Sequence, residues 1–301
     1  MTEEVSLGAR LAVQGYRAGS WLSQRVPYDA GRAVSSRIGD VLYRLTPGVR
    51  ARLERTFGRV LGQSPGSPLL DAAVREAFRS YCLYWFETFH LQAMPLEEVV
   101  GRGRLIGQEH MDAALAAGNG AIIALPHLGN WDAAGRMVVG LDYRITAVAE
   151  ELKPPEAFRL FLEHRRRLGM GIVALSAGRK VGEELVRLLS ENELICLVAD
   201  RDLTGRGVDV EMFGARTQLP AGPALLSLGT GAPLIVAAAY HVDGGGWEIV
   251  MSPPVEIERT ADMRADVTTL TRKVAEAFER QISSAPTTWH MFQPYWPADL
   301  S

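Results

Sequence analysis

The 301-residue sequence predicts an α/β fold: a mainly parallel central sheet flanked by helices, a C-terminal antiparallel hairpin, and a basic helical segment in front. Three observations predict it. From residue 120 onward, short apolar runs alternate with helical stretches in steps of roughly 25 residues, the rhythm of βαβ units. A hydrophobic content of 47% against 22% charged residues is that of a core-forming chain. Residues 1–60 hold ten Arg against five acids, whereas the remainder is acidic. The organisation is therefore read as a basic amphipathic segment, 1–60, ahead of a single α/β domain, 61–301.

In the front segment Leu7, Leu11, Gly15, Ala18 and Leu22 recur at helical spacing, with Arg10, Arg17 and Arg25 along the edge. Such a helix fits a membrane interface, with leucines and Trp21 below the headgroups and arginines among them. The same pattern also serves a helix packed on its own domain. "GQSPGSP" at 62–68 reads as a loop, followed by a helix through "AAVREAFRSYCLYWFETFHL" with core aromatics. The strands expected next are 121–125, 145–149, 171–175 and 194–199, alternating with helices near 131–139, 155–169 and 182–192. A short strand "VDVEMFG", a helix from about Pro223, and a hairpin of "LIVAAAYHV" and "WEIVMSP" joined through "DGGG" follow. A helix over 262–282 precedes the aromatic tail "WHMFQPYWP".

Cys82 and Cys196 are the only cysteines, which leaves a disulfide framework or a cysteine-rich zinc site without support and suits a reducing compartment. No apolar run approaches the roughly 20 residues of a spanning helix, and the acidic "MTEEVSLGAR" does not read as a secretory signal. The acidic body argues against nucleic acid as a partner.

The chemistry concentrates in "LPHLGNWD", residues 125–132. Ligands of open parallel sheets collect beyond the carboxyl ends of the strands, which is where His127 stands. Gly129 permits a tight turn, Asn130 suits the cap of the next helix, and Asp132 falls in its first turn. A carboxylate bonded to one ring nitrogen sets the tautomer and strengthens the other nitrogen as a base. Asp132 is the expected partner, and N–H groups of the Gly129 turn and helix start are expected to face an oxyanion. The stretch lacks a Ser, Thr or Cys at a nucleophile elbow, so the target of the base is read as a substrate hydroxyl in acyl transfer. A structural hydrogen-bonding role for the histidine is the competing reading. A second strand end, "LICLVADRDL", supplies Asp200, Arg201 and Asp202, and Asp200 meets His127 if the two strands are close.

Three ordered blocks, "PHLGNWD", "ADRDLTGRGVDVEMFG" and "TQLPAGPALLSLGTGAPLI", resemble the lysophospholipid-type acyltransferases, in the branch of the lipid A late acyltransferases. "GYRAGSWLSQRVP" and "ELKPPEAFRLFLEHRRRLG" are most similar to the actinobacterial phosphatidylinositol mannoside acyltransferases. The resemblance implies His127 as general base, Asp132 as its charge partner and Asp200 as the acid that completes the site. It also implies substrate contacts from Asn130, Trp131, Lys153, Arg165, Arg201, Thr217 and Gly222; the cluster Arg165, Arg166 and Arg167 is suited to the phosphates of a coenzyme or phospholipid, with Arg165 the best match to a recurrent arginine of the family. It implies no cofactor and no metal, with long-chain acyl-CoA as co-substrate and a membrane glycolipid as acceptor, probing the cytoplasmic face of the plasma membrane as a peripheral enzyme. Trp289, His290 and Trp296 match the family's aromatic ending and are read as packing. Two rival functions are a metal-dependent hydrolase using His127, Asp132, Asp200, Asp202 and His241, and a lipid-binding protein without catalysis.

Overall fold

The computed structural model describes residues 7–150, 154–175, 181–202 and 205–300. Four helices lead: α1 (Leu7–Ser23), α2 (Tyr28–Leu45), α3 (Pro47–Leu61) and α4 (Pro68–His90). There follow α5 (Leu96–Arg102), β1 (Gly103–Ile106), α6 (Gln108–Ala116), β2 (Ala121–Leu125), α7 (Trp131–Gly140), β3 (Ile145–Glu150) and α8 (Pro155–Arg167). Next come β4 (Gly171–Leu175), α9 (Val181–Ser190), β5 (Leu194–Val198), β6 (Val208–Met212), β7 (Ala215–Leu219) and α10 (Gly222–Thr230). The chain closes with β8 (Leu234–Val242), β9 (Gly246–Met251) and α11 (Met263–Ser284).

Among the described residues seven strands form one sheet in the order β1-β9-β8-β2-β5-β3-β4. All neighbours are parallel except the β8–β9 hairpin, so β1 and β9 run against the other five. The side-chain alternation of a strand explains why helices cover both faces. In β2, Ile122 and Ala124 enter the core beneath α9, α10 and α11, while Ala121, Ile123 and Leu125 enter the one beneath α5, α6 and α7. The expected hairpin and parallel strands are present; β1, and β7 as the antiparallel partner of β6, are elements that sequence periodicity did not mark.

The helical front is joined to this body by α4. A seam of small residues on α2, Gly31, Ser35 and Gly39, lies one turn apart and buried. Gly31 accommodates the Phe86 ring and Gly39 the backbone of Arg79, where any Cβ would collide. This seam brings α2 close enough to α4 for Asp40 to pair with Arg75 and Arg79. The opposite face of α2 leaves Val34, Ile38, Val41 and Leu45 exposed, and α1 leaves Trp21 and Leu22 exposed. No helix among the described residues is long and apolar enough to cross a membrane.

Gly129 makes the turn between β2 and α7 possible. Its φ is +61°, and a Cβ there would stand 1.8 Å from the carbonyl oxygen of Ala239 on β8. Gly129→Ala is expected to destabilise the fold by more than about 1–2 kcal/mol, the left-handed backbone cost alone, because backbone must also move. Urea unfolding of the variant beside wild type measures this.

Candidate active site

The site arises from the sheet order. β2 and β5 are neighbours with Leu125 opposite Val198, so the loops leaving both strands emerge side by side. His127 and Asp200, 73 residues apart in sequence, meet there. The imidazole Nδ1 lies 2.6 Å from Asp200 Oδ1, and the His127 backbone N–H donates to Oδ2 at 2.9 Å. An ionised carboxylate only accepts, so Nδ1 carries the proton and Nε2 keeps its lone pair.

Asp200 is wholly buried, and Trp289 Nε1 donates to its Oδ2 at 2.8 Å. Burial by itself raises a carboxyl pKa, but the adjoining imidazole and the surrounding donors hold Asp200 below the usual carboxylate range. His127 shows the complementary balance. The protein packed around it disfavours the charged ring, the Asp200 charge outweighs that, and its pKa stands above the ordinary 6.5. Its side chain remains 42% exposed, open to a pocket of about 200 Å³. Tyr81, Tyr84, Trp85, Trp131, Arg201 and His290 contribute to that pocket's wall. Two apolar cavities adjoin it. One, a narrow slot of about 50 Å³, shares Trp131 and runs between β2, β5 and α7; the other, about 420 Å³, shares Arg201 and lies between α9 and α10.

Asp132 does not occupy the position expected of it. Its carboxylate accepts from Arg165 Nε at 3.0 Å and from Tyr84 Oη at 3.4 Å, fully buried. The reason is the cap: Asn130 Oδ1 accepts from the Ala133 N–H at 3.0 Å, setting the start of α7 so that its first turn faces α4 and α8. Arg165, expected to receive a phosphate, is committed to this pair and stacks on the Trp131 ring at 4.2 Å. Arg166 and Arg167 face solvent, the latter paired with Glu163.

Burial and partners place the other expected residues as follows. Asn130 is inaccessible, with its amide donating to Glu87 at 2.9 Å. Thr217 is buried in β7 and donates to the Tyr295 carbonyl. The Gly129 N–H, expected at an oxyanion, donates to Thr288 O at 2.9 Å. Gly222 lines the cavity between α9 and α10 together with Arg201 and Asp202, whereas Lys153 lies outside the described residues.

The structure also identifies groups that the sequence reading had left aside or assigned elsewhere. Glu87 of α4, buried to 1% exposure, accepts from Tyr28 Oη, Asn130 Nδ2, His241 and Trp247 Nε1, all within 3.0 Å. A glutamate within the aromatic-rich run "YCLYWFETFH" was the available signal, since an acid in a buried helix face must have partners. The residues named for metal hydrolysis are thereby distributed: His241 with Glu87, Asp132 with Arg165, Asp202 with the Gly207 N–H. Among the described residues no three His, Cys, Asp or Glu side chains converge as a ligand set. Cys82 and Cys196 are free, and burial pushes their thiols up to about 11 and about 12.

The family model for bacterial lipid A biosynthesis acyltransferase matches residues 11–297. The chain is 37% identical, over its entire length and 96% of the relative's, to a phosphatidylinositol mannoside acyltransferase of Mycolicibacterium smegmatis. It is 40% identical over 258 residues to proteins of the same name from two strains of Mycobacterium tuberculosis, covering 83% of this chain and 78% of each relative. With a family match across nearly all its residues and relatives of this identity, the chain belongs to the bacterial lipid A biosynthesis acyltransferase family.

Proposed function

We propose that the protein transfers a long acyl chain from acyl-CoA to a hydroxyl of a membrane glycolipid, a mannose of a phosphatidylinositol mannoside, with His127 as general base and Asp200 as its partner. One observation carries the chemistry: an imidazole whose Nδ1 is bound to a buried carboxylate and whose ring is open to a pocket without Ser, Thr or Cys in its wall. The names of the relatives support the acceptor.

In this mechanism Nε2 takes the proton of the acceptor hydroxyl as its oxygen attacks the thioester carbonyl, and the tetrahedral intermediate then expels the CoA thiolate. The acceptor is itself the activated nucleophile, so no acyl-enzyme forms. Asp200 stabilises the imidazolium that results. Arg201, the cation in the pocket wall, is assigned to the negative charge that develops on the carbonyl oxygen. The adjoining apolar cavities are suited to hydrocarbon, and the aromatic wall suits the apolar faces of a sugar ring.

The site is reached from a membrane surface on this reading. The exposed stripes of α1 and α2 are flanked by Arg25, Arg37 and Arg44, the composition of a helix pair lying in an anionic interface. The reading places the enzyme peripherally, on the cytoplasmic face of the plasma membrane, which the arginine-flanked stripes support without deciding the face. Ile38→Glu is expected to weaken sedimentation with anionic vesicles about tenfold or more, since it puts a negative charge in place of an exposed aliphatic side chain that would enter the lipid. Unchanged vesicle binding removes α2 from the interface.

The deciding assay combines purified protein, palmitoyl-CoA and a phosphatidylinositol mannoside, with product mass and free thiol both measured. The expected result is a product heavier by one acyl group and one thiol released per product. Thiol release without acylated lipid indicates hydrolysis, and binding of the thioester with neither indicates a lipid-binding protein; each overturns the proposal.

A further inference from the structure

The tail after α11 returns to the His127 loop and holds it on two levels. On the backbone, Leu128 and Trp289 form an antiparallel bridge, the Gly129 N–H donates to Thr288 O at 2.9 Å, and the His290 N–H donates to His127 O at 2.8 Å. On the side chains, the wholly buried Trp289 indole donates its N–H to Asp200 Oδ2. That oxygen also receives the His127 backbone N–H, while Oδ1 faces the imidazole. One three-residue segment therefore grips both the strand end that carries the base and the acid that orients it.

We propose that Trp289 is a positioning residue for acyl transfer: its indole N–H locks the Asp200 carboxylate against His127, and segment 288–290 acts as a splint that keeps the two loops in register. This inference rests on the general-base reading above. It differs from packing alone, which the edge contacts of Trp289 with Tyr295 and Trp296 already provide. A phenyl ring keeps part of that packing and removes the donor, so the two roles are separated by the pH profile, which lost packing volume alone does not move. Without the N–H, Asp200 keeps only its two contacts with His127 and is held less firmly, and its negative charge, no longer shared with the indole, attracts the imidazolium more strongly.

The titration can be read cleanly because the other groups facing the pair do not change charge in the working range. Arg201 from the β5 loop and Arg165 from α8 remain positive. Burial holds His290, on the tail itself, down to about 3, and holds the Tyr295 hydroxyl far above 10. His290 and Tyr295 are thus neutral; His241, also raised beside Glu87, acts on His290 and not on His127, so the acid limb of kcat/KM is assigned to His127.

The experiment measures kcat, KM and the pH profile of the full chain for wild type, Trp289→Phe and His127→Ala with palmitoyl-CoA and a phosphatidylinositol mannoside. Trp289→Phe is expected to lower kcat by about 10–100-fold, the scale on which outer hydrogen-bond partners act, with KM little changed and the acid limb moved to higher pH. A wild-type kcat and an unmoved limb in Trp289→Phe, with His127→Ala inactive, overturn the role of Trp289 while leaving the base in place. Full turnover in His127→Ala instead overturns the base reading beneath it. Should Trp289→Phe fail to fold, ¹⁵N-labelled wild type supplies the readout: the Trp289 indole N–H resonance is expected to shift as His127 titrates, and a resonance flat across that range overturns the proposal.

Discussion

His127→Ala is expected to reduce acyl transfer by about 10²–10⁴-fold, the range over which a positioned proton acceptor contributes. Fold and melting temperature should be nearly unchanged, because the ring is 42% exposed and the hydrogen bonds that secure its loop come from backbone groups. Asp200→Asn should approach the same loss by another route. Its amide donates to Nδ1, which moves the ring proton to Nε2, and an N–H then faces the acceptor where a lone pair is needed. The pH dependence distinguishes the two. As the proposed base His127 must be neutral to act, and its pKa is raised, so kcat/KM in wild type should fall off on the acid side at a midpoint above pH 6.5. With the negative charge gone in Asp200→Asn, the residual rate should hold to lower pH. A wild-type midpoint below 6.5, or an Asp200→Asn variant with full turnover, would falsify the pairing. Asp132→Asn tests a separate contact: it loosens Arg165 and, through it, the Trp131 face of the pocket, without altering the tautomer of His127.

Glu87→Ala is expected to be the most destabilising of these changes. It removes the acceptor shared by Tyr28, Asn130, His241 and Trp247, leaving buried donors from four separate elements unpaired. Breaking a buried pair in this way costs about 3–5 kcal/mol, which corresponds to a fall in melting temperature of roughly 5–8 °C for a chain of this size. The pH dependence has a defined sign. Burial alone would raise the Glu87 pKa, but the His241 charge and the Asn130 and Trp247 donors bring it down to about 2 from its ordinary 4.5. Its contribution is complete above pH 4.5 and disappears as the pH falls toward 2. His241 is shifted the other way: burial opposes its charge, Glu87 more than compensates, and its pKa rises above 6.5. That contribution is complete below pH 6.5 and is lost as the pH climbs through the raised value. The stability gap between wild type and Glu87→Ala should therefore be widest between pH 4.5 and 6.5, as measured by chemical denaturation across that interval. A gap that is constant with pH would mean that the pair is not ionised.

Much of the fold was legible from the residues alone. Runs such as "AIIAL" and "LIVAAA" coincide with β2 and the buried part of β8, because a strand covered on both faces must be apolar at every position, while "GIVAL" coincides with β4 at the sheet edge, where only Val173 is buried. β1 escaped detection: "GRLI" is four residues long, alternates half-buried with exposed positions, and gains its place only by lying beside β9. The apolar stripe of α1 was likewise readable, but the one on α2 was not, since periodicity does not tell which face of an amphipathic helix meets α4. There the small side chains of Gly31, Ser35 and Gly39 choose the packed face, and the larger aliphatic residues are left outside.

By itself the sequence determined that a histidine stands at the end of a buried strand, that acids follow it and another strand, and that no nucleophile elbow accompanies it. Those are local properties of the chain, set by residue type and spacing. Which carboxylate orients the ring was decided only by tertiary structure. Five residues of spacing favoured Asp132, yet the Asn130 cap turns that acid toward Arg165, while the pairing of β2 with β5 carries Asp200 across 73 residues to within 2.6 Å of the imidazole. Strand order is a global result of packing two hydrophobic faces, so neither the partner of His127 nor the indole behind it is written in any short stretch of the chain.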